Sequence, residues 1–170
     1  MPIILRLVRL VSATSHLMGG LVANLCVIII YAMLGLLVTQ VLMRYFLGAP
    51  PSWTEEMAII LFTWLVLLYA TVGLRERFHV AIETIPVKWD LAYRMSERLV
   101  ALLALLFGSV TLTAGISYVQ RTTGQKTAAL QLPIEALYLS VPVCGALLIL
   151  HAVALLVEPV RRQTPSPDIV

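Results

Sequence analysis

Four stretches of this chain carry no Asp, Glu, Lys or Arg: residues 10–43, 57–74, 99–120 and 136–157. They are 34, 18, 22 and 22 residues long and together hold 96 of the 170 residues. A helix of about 20 apolar residues crosses the hydrocarbon core of a bilayer. Within that core a helix satisfies its own backbone N–H and C=O groups, which an irregular segment does not. The spacing therefore predicts an all-α integral membrane protein with four transmembrane helices, over about 17–43, 57–74, 99–120 and 136–157. Composition agrees, at 60% hydrophobic and 12% charged residues, against about half and a quarter in soluble domains. A disordered chain, a collagen and an ordinary cytosolic globule are excluded. We expect one four-helix domain over residues 1–160. The tail 161–170, with Thr164, Pro165, Ser166 and Pro167, reads as a disordered cytoplasmic end.

The basic residues give the orientation. With the N-terminus inside, the cytoplasmic segments hold Arg6, Arg9, Arg75, Arg77, Lys88, Arg94, Arg98, Arg161 and Arg162, and the outer ones hold only Arg44, Arg121 and Lys126. The excess of Lys and Arg on the cytoplasmic side predicts N-in, C-in. These charges sit beside apolar spans rather than along one solvated face, so nucleic acid is not an expected partner. The lipid bilayer is.

Local signals refine the helices. Ser12, Thr14, Ser15 and His16 mark the cytoplasmic edge of the first span. Gly48, Ala49, Pro50 and Pro51 break the chain after it, and Ser52 with Glu55 has the spacing of a capping box. Phe78, Val80 and Ile82 alternate with His79, Ala81 and Glu83, a short extended stretch that ends at Pro86. A helix from 87 to 120 would be about 50 Å long. Its first turns must then protrude from the bilayer or lie along its surface, where Trp89 and Tyr93 suit the interface. Ala101, Ala104, Gly108, Thr111 and Gly115 recur at steps of three and four. Such a stripe of small residues predicts a close helix–helix seam, completed by a partner. Pro133 opens the last helix, Glu135 lies in its first turn, and Pro142 is expected to distort it.

Chemistry-bearing groups are sparse. All nine carboxylates fall outside the four spans, whereas a self-sufficient proton- or cation-coupled carrier needs an ionisable group in the membrane. No phosphate-cradling loop and no nucleophile–histidine–acid set is present. No catalytic residue, metal site or cofactor is expected. Cys26 and Cys144 read as small apolar residues of a helix bundle. His16 and His151 read as interfacial histidines rather than as a haem pair, since neither is deep in a span. Glu55 has a local role available in the cap, whereas Glu56 has none. Glu56 is therefore expected to pair with Arg44 or with a basic residue of a partner.

The run from Arg44 to Glu83 reads RYFLGAPPSWTEEMAIILFTWLVLLYATVGLRERFHVAIE. It resembles the small, DctQ-like membrane subunit of tripartite ATP-independent periplasmic (TRAP) transporters, through Arg44, Tyr45, Trp53, Glu55, Glu56, Trp64, Arg75 and His79. The later run GQKTAALQLPIEALYLSVPVCG is similar to the same family, through Gly124, Leu132, Pro133, Tyr138, Pro142 and Val143. The resemblance implies a small permease subunit of the bacterial inner membrane, and not an enzyme. It implies two protein partners, a large permease subunit and a periplasmic substrate-binding protein that delivers an organic acid. Uptake would be driven by a sodium gradient, with the ion sites in the large subunit. Arg44, Tyr45, Trp53, Glu55, Glu56, Trp64, Arg75, His79, Gly108, Gly115, Pro133, Tyr138 and Pro142 are the expected interface or structural positions. The alternative from another class is a membrane-anchor subunit of a respiratory or redox enzyme, which should show deep haem or quinone ligands.

Overall fold

The computed structural model describes residues 2–48, 51–76 and 90–158. These form α1 (Pro2–Leu47), α2 (Ser52–Arg75), α3 (Asp90–Thr122), α4 (Glu135–Tyr138) and α5 (Ser140–Val157). Four helical segments are long and apolar enough to cross a membrane: Val8–Phe46, Ser52–Arg75, Tyr93–Thr122 and Glu135–Val157. The chain is thus a multi-pass, all-helical membrane protein. His79, Lys88, Trp89, the alternating stretch 78–83 and the tail 161–170 lie outside the described residues.

The first helix does not begin at the polar group near residue 15. It runs unbroken for 46 residues, about 69 Å at 1.5 Å per residue. The hydroxyls in this region do not interrupt it because they find partners. Thr14 Oγ1 donates to the Leu10 and Val11 carbonyls one turn back, and Ser12 and Ser15 reach other helices. Gly48, at φ +73°, ends the helix in the left-handed conformation that glycine adopts without strain. The expected capping box is absent. Pro51 is the N-cap of α2, no side chain caps it, and Glu55 is exposed. Ser52 is already the first helical residue, so its hydroxyl stands one position too late for that role.

On α1, Ser15, Gly19, Val22, Cys26 and Ile29 are buried. Their steps of four and three trace one face of the helix, as in coiled coils. Val22, Cys26 and Ile29 pack with Leu68 and Val72 of α2 and Leu147 of α5. A second core joins Leu74, Cys144, Leu148 and Ala152, with Val100, Ala104 and Leu105 of α3 packed against it. Helix α5 is the common element, packed against α1, α2 and α3. Half of its span is buried inside the chain, against 17% for the first and third spans.

The small-residue stripe of α3 is used within the chain. A Cβ on Gly108 would stand 3.1 Å from the Gly145 carbonyl, and one on Gly115 would stand 2.9 Å from the Pro142 ring. The match on α5 is Gly145, where a Cβ would lie 2.6 Å from the Leu112 nitrogen and 2.8 Å from its Cα. The seam expected to need a partner is therefore closed by α5 itself. Pro142 also accounts for the division of the last span. It has no N–H for the Tyr138 carbonyl, and the helix is split at Leu139 (φ −59°, ψ −22°) into α4 and α5.

Candidate functional site

Two polar assemblies stand at opposite ends of the bundle. The first holds the connection between α3 and α4. Gln125 and Thr127 pair with Ile134 and Leu132 across a small hairpin: Thr127 N donates to the Leu132 carbonyl at 2.9 Å and Ile134 N to the Gln125 carbonyl at 3.0 Å. Lys126 and Pro133 form its single antiparallel bridge. Gly124 (φ +86°) and Gln131 (φ +55°) supply the left-handed turns.

The tip of this hairpin is held by Glu56 from the first turns of α2. Oε1 accepts the Ala129 N–H at 2.6 Å and Oε2 accepts the Leu130 N–H at 2.9 Å. Successive backbone N–H groups form a small anion-binding concavity, and here one carboxylate of the same chain fills it. Arg44 is exposed and makes no ion pair with Glu56. The expected pairing of Glu56 with Arg44 is corrected: its partners are main-chain donors 73 and 74 residues away. The base of the hairpin is held by Glu135, whose Oε1 accepts the Gly124 N–H at 2.9 Å. Trp64 Nε1 donates to the Ala136 carbonyl at 2.8 Å, tying α2 to α4. Tyr138 meets Tyr118 edge-to-face, with centroids 4.7 Å apart and planes at 90°. Cys144 Sγ donates to the Leu67 carbonyl at 3.3 Å, and both cysteines are free and buried.

The second assembly joins α1, α2 and α5 at the other end. Arg75 Nη1 donates to Ser15 Oγ at 3.0 Å and to Glu158 Oε1 at 3.2 Å. Ser15 Oγ lies 2.8 Å from His151 Nδ1, and Ser12 Oγ donates to Glu158 Oε1. Ser15 and His151 are 0% exposed, and the Arg75 side chain is 7% exposed. Gly19 makes the space: a Cβ there would meet Arg75 Cγ at 3.4 Å and His151 Cε1 at 4.0 Å. Arg98 of α3 donates to the Leu155 and Glu158 carbonyls at 3.5 and 3.4 Å, a cation at the negative end of a helix dipole. Burial by itself pushes the Glu158 carboxyl up. The Ser12 hydroxyl and the nearby Arg75 charge outweigh it and hold the carboxyl below its ordinary range.

Of the expected positions, Glu56, Trp64, Tyr138 and Pro133 come together at the hairpin end, and Gly108, Gly115 and Pro142 at the α3–α5 seam. Arg75 lies at the other end of the bundle. Arg44, Tyr45, Trp53 and Glu55 are exposed and join neither assembly. Sequence reasoning did not find the burial of His151 beside Ser15, and it missed Ser12, Gly19, Gly145 and Glu158. One signal was available: His151 and Glu158 are seven apart, hence on one helix face, and Ser12 and Ser15 are three apart on another.

Residues 33–162 match the model of the family described as tripartite ATP-independent periplasmic transporters, DctQ component. Over 99 residues the chain is 30% identical to the C4-dicarboxylate TRAP transporter small permease protein DctQ of Rhodobacter capsulatus. That alignment covers 56% of this chain and 44% of the relative, so the chain matches under half of the relative's length. The family match spans both polar assemblies except for the part contributed by the first helix before residue 33. The chain belongs to the DctQ family of TRAP transporters, a transporter component and not an enzyme.

Proposed function

We propose that this chain is the small permease subunit of a TRAP secondary transporter in a bacterial inner membrane, oriented N-in, C-in. It complexes with a large permease subunit and supports sodium-driven uptake of an organic acid, which a periplasmic binding protein delivers. The Rhodobacter relative is named for C4-dicarboxylates, so these are the first substrates to test. The observation that carries the reading is the position of the acids. Among the described residues every Asp and Glu lies at or near the end of a helix, and none lies midway along a span. Coupling to an ion gradient calls for ionisable or coordinating groups within the membrane, and a partner must supply them. The family match gives no support to a redox-enzyme anchor. The orientation follows the excess of basic residues on the N-terminal side.

The test is purification of the tagged chain in mild detergent, identification of a co-purifying large multi-span subunit, and reconstitution in vesicles. Sodium-dependent uptake that needs the binding protein, the large subunit and this chain together is the expected result. Full uptake with this chain omitted would refute the role. A fusion reporter near Lys88 should report the cytoplasm.

A further inference from the structure

The outward face of α1 has a composition that lipid does not explain. Between residues 17 and 38 the only side chains with an amide or hydroxyl are Asn24 and Tyr31. They are seven apart, so they share one face of the helix. At 100° per residue that face points directly away from the buried one formed by Ser15, Gly19, Val22, Cys26 and Ile29. Asn24 is exposed and Tyr31 is 70% exposed. Among the described residues neither side chain has a hydrogen-bond partner. Gly20 and Gly35 lie on the same face, and a Cβ on either would meet nothing within 4 Å.

Depth makes this costly in lipid. The charge-free stretch 10–43 is centred near residue 26, so Asn24 and Tyr31 lie within about 8 Å of its middle, well inside a hydrocarbon half-thickness of about 15 Å. Helical side chains lean toward the N-terminus. Tyr31 therefore leans back toward the centre rather than out to the nearer headgroups, and Asn24 is too short to leave the hydrocarbon. Acyl chains offer an amide or a phenol no hydrogen bond. Another transmembrane helix offers both a hydrogen bond and a surface against which Gly20 and Gly35 allow close approach.

We propose that this face of α1, centred on Asn24 and Tyr31, is where a transmembrane helix of the large permease subunit packs. The proposal rests on the functional reading above and names the surface it uses. That helix presents a hydrogen-bonding side chain opposite Asn24 and small or flat residues opposite Gly20 and Gly35.

The test uses the full chain co-expressed with its large subunit, with Asn24→Leu, Tyr31→Phe and the pair. An interhelical side-chain hydrogen bond in a membrane averages about 0.6 kcal/mol and reaches about 1.7. Recovery of the large subunit should thus fall about 3- to 18-fold in each single variant and about 8-fold or more in the double variant. The thermal stability of the isolated small subunit should not change, because the face touches nothing in its own bundle. Wild-type recovery from the double variant overturns the proposal while leaving the functional reading intact. A wild-type chain that recovers no large subunit overturns both. Disulfide-linked pairs of this chain through Asn24→Cys, formed in the presence of the large subunit, would also overturn it, since the face would then belong to a second copy.

Discussion

Helix α5 is gripped on its two sides by different physics. Toward α3 the contact is backbone against backbone, with Gly108, Gly115 and Gly145 removing the side chains that would hold the helices apart. Toward α1 and α2 the contact is an apolar core with polar ties at its ends. Arg75, Ser15 and His151 tie one end, and near the other Cys144 bonds the Leu67 carbonyl while Trp64 ties α2 to the preceding α4. In lipid there is little hydrophobic drive for helices to associate, so close packing and interhelical hydrogen bonds carry the association. Along α3 this chain relies on close packing, with hydrogen bonds from Arg98 only at the end of α5, and toward α1 and α2 it relies more on hydrogen bonds. The glycine side has no room for an added carbon at Gly115 or Gly145, and little at Gly108. The polar side tolerates changes of shape but not the loss of a charge.

The difference can be broken most sharply at Gly145. Gly145→Leu places carbon where a backbone nitrogen already stands, and no rotamer relieves that. The pair α3–α5 should fail to close, at a cost above about 3 kcal/mol. Unfolding of the purified chain in detergent reads it as loss of the folded state, and Gly145→Ala should already be damaging. A variant of native stability would mean that the helices meet elsewhere. On the polar side, Arg75→Gln removes a guanidinium from both Ser15 and Glu158. We expect about 2–3 kcal/mol, less than for a fully buried pair because the Glu158 side chain is 20% exposed. Arg75→Lys should recover part of it, whereas a Gly145 variant has no such partial rescue.

Smaller effects separate the two ends of the polar side. Glu56→Gln leaves only one acceptor oxygen for the two N–H groups of the hairpin tip. Amide exchange should quicken at Ala129 and Leu130 with the helices unaffected, and Glu55→Gln should change neither. Equal exchange in the two variants would remove the special role of Glu56. Acid is the mildest probe. The folded-state carboxyl of Glu158 titrates below its ordinary range, so its stabilising contribution is full above the unfolded value. It is lost as pH falls through the lower folded value. A pH series on wild type and Glu158→Gln should converge in stability at low pH and diverge above it.

The readings that succeeded and those that failed divide by range. The spans were legible because absence of charge is a local property, readable at every position. The stripe through Gly108 and Gly115 was legible for the same reason, but its partner was not, since Gly145 carries no mark of what faces it. Glu56 shows the limit most clearly. Its partners are main-chain N–H groups, which every residue except proline has, so no motif announces them. The hydrogen bond between Ser15 and His151 joins residues 136 apart, and only the crossing of α1 and α5 makes them neighbours. The capping box failed for a more local reason: the helix starts one residue earlier than the motif requires, at Ser52 with Pro51 at the cap.

Sequence alone marked the four membrane spans, because lipid punishes any unpaired charge or backbone group along a span, whereas the small TRAP permease type rests on its motifs and the family match. Only the tertiary structure decided how its few polar groups are used. Glu56 is a hairpin clamp rather than an ion-pair member, Arg75 joins three helices, and the α3 stripe is spent on α5. In a chain with so few hydrogen-bonding side chains, each takes its role from whatever the packing brings within about 3 Å of it.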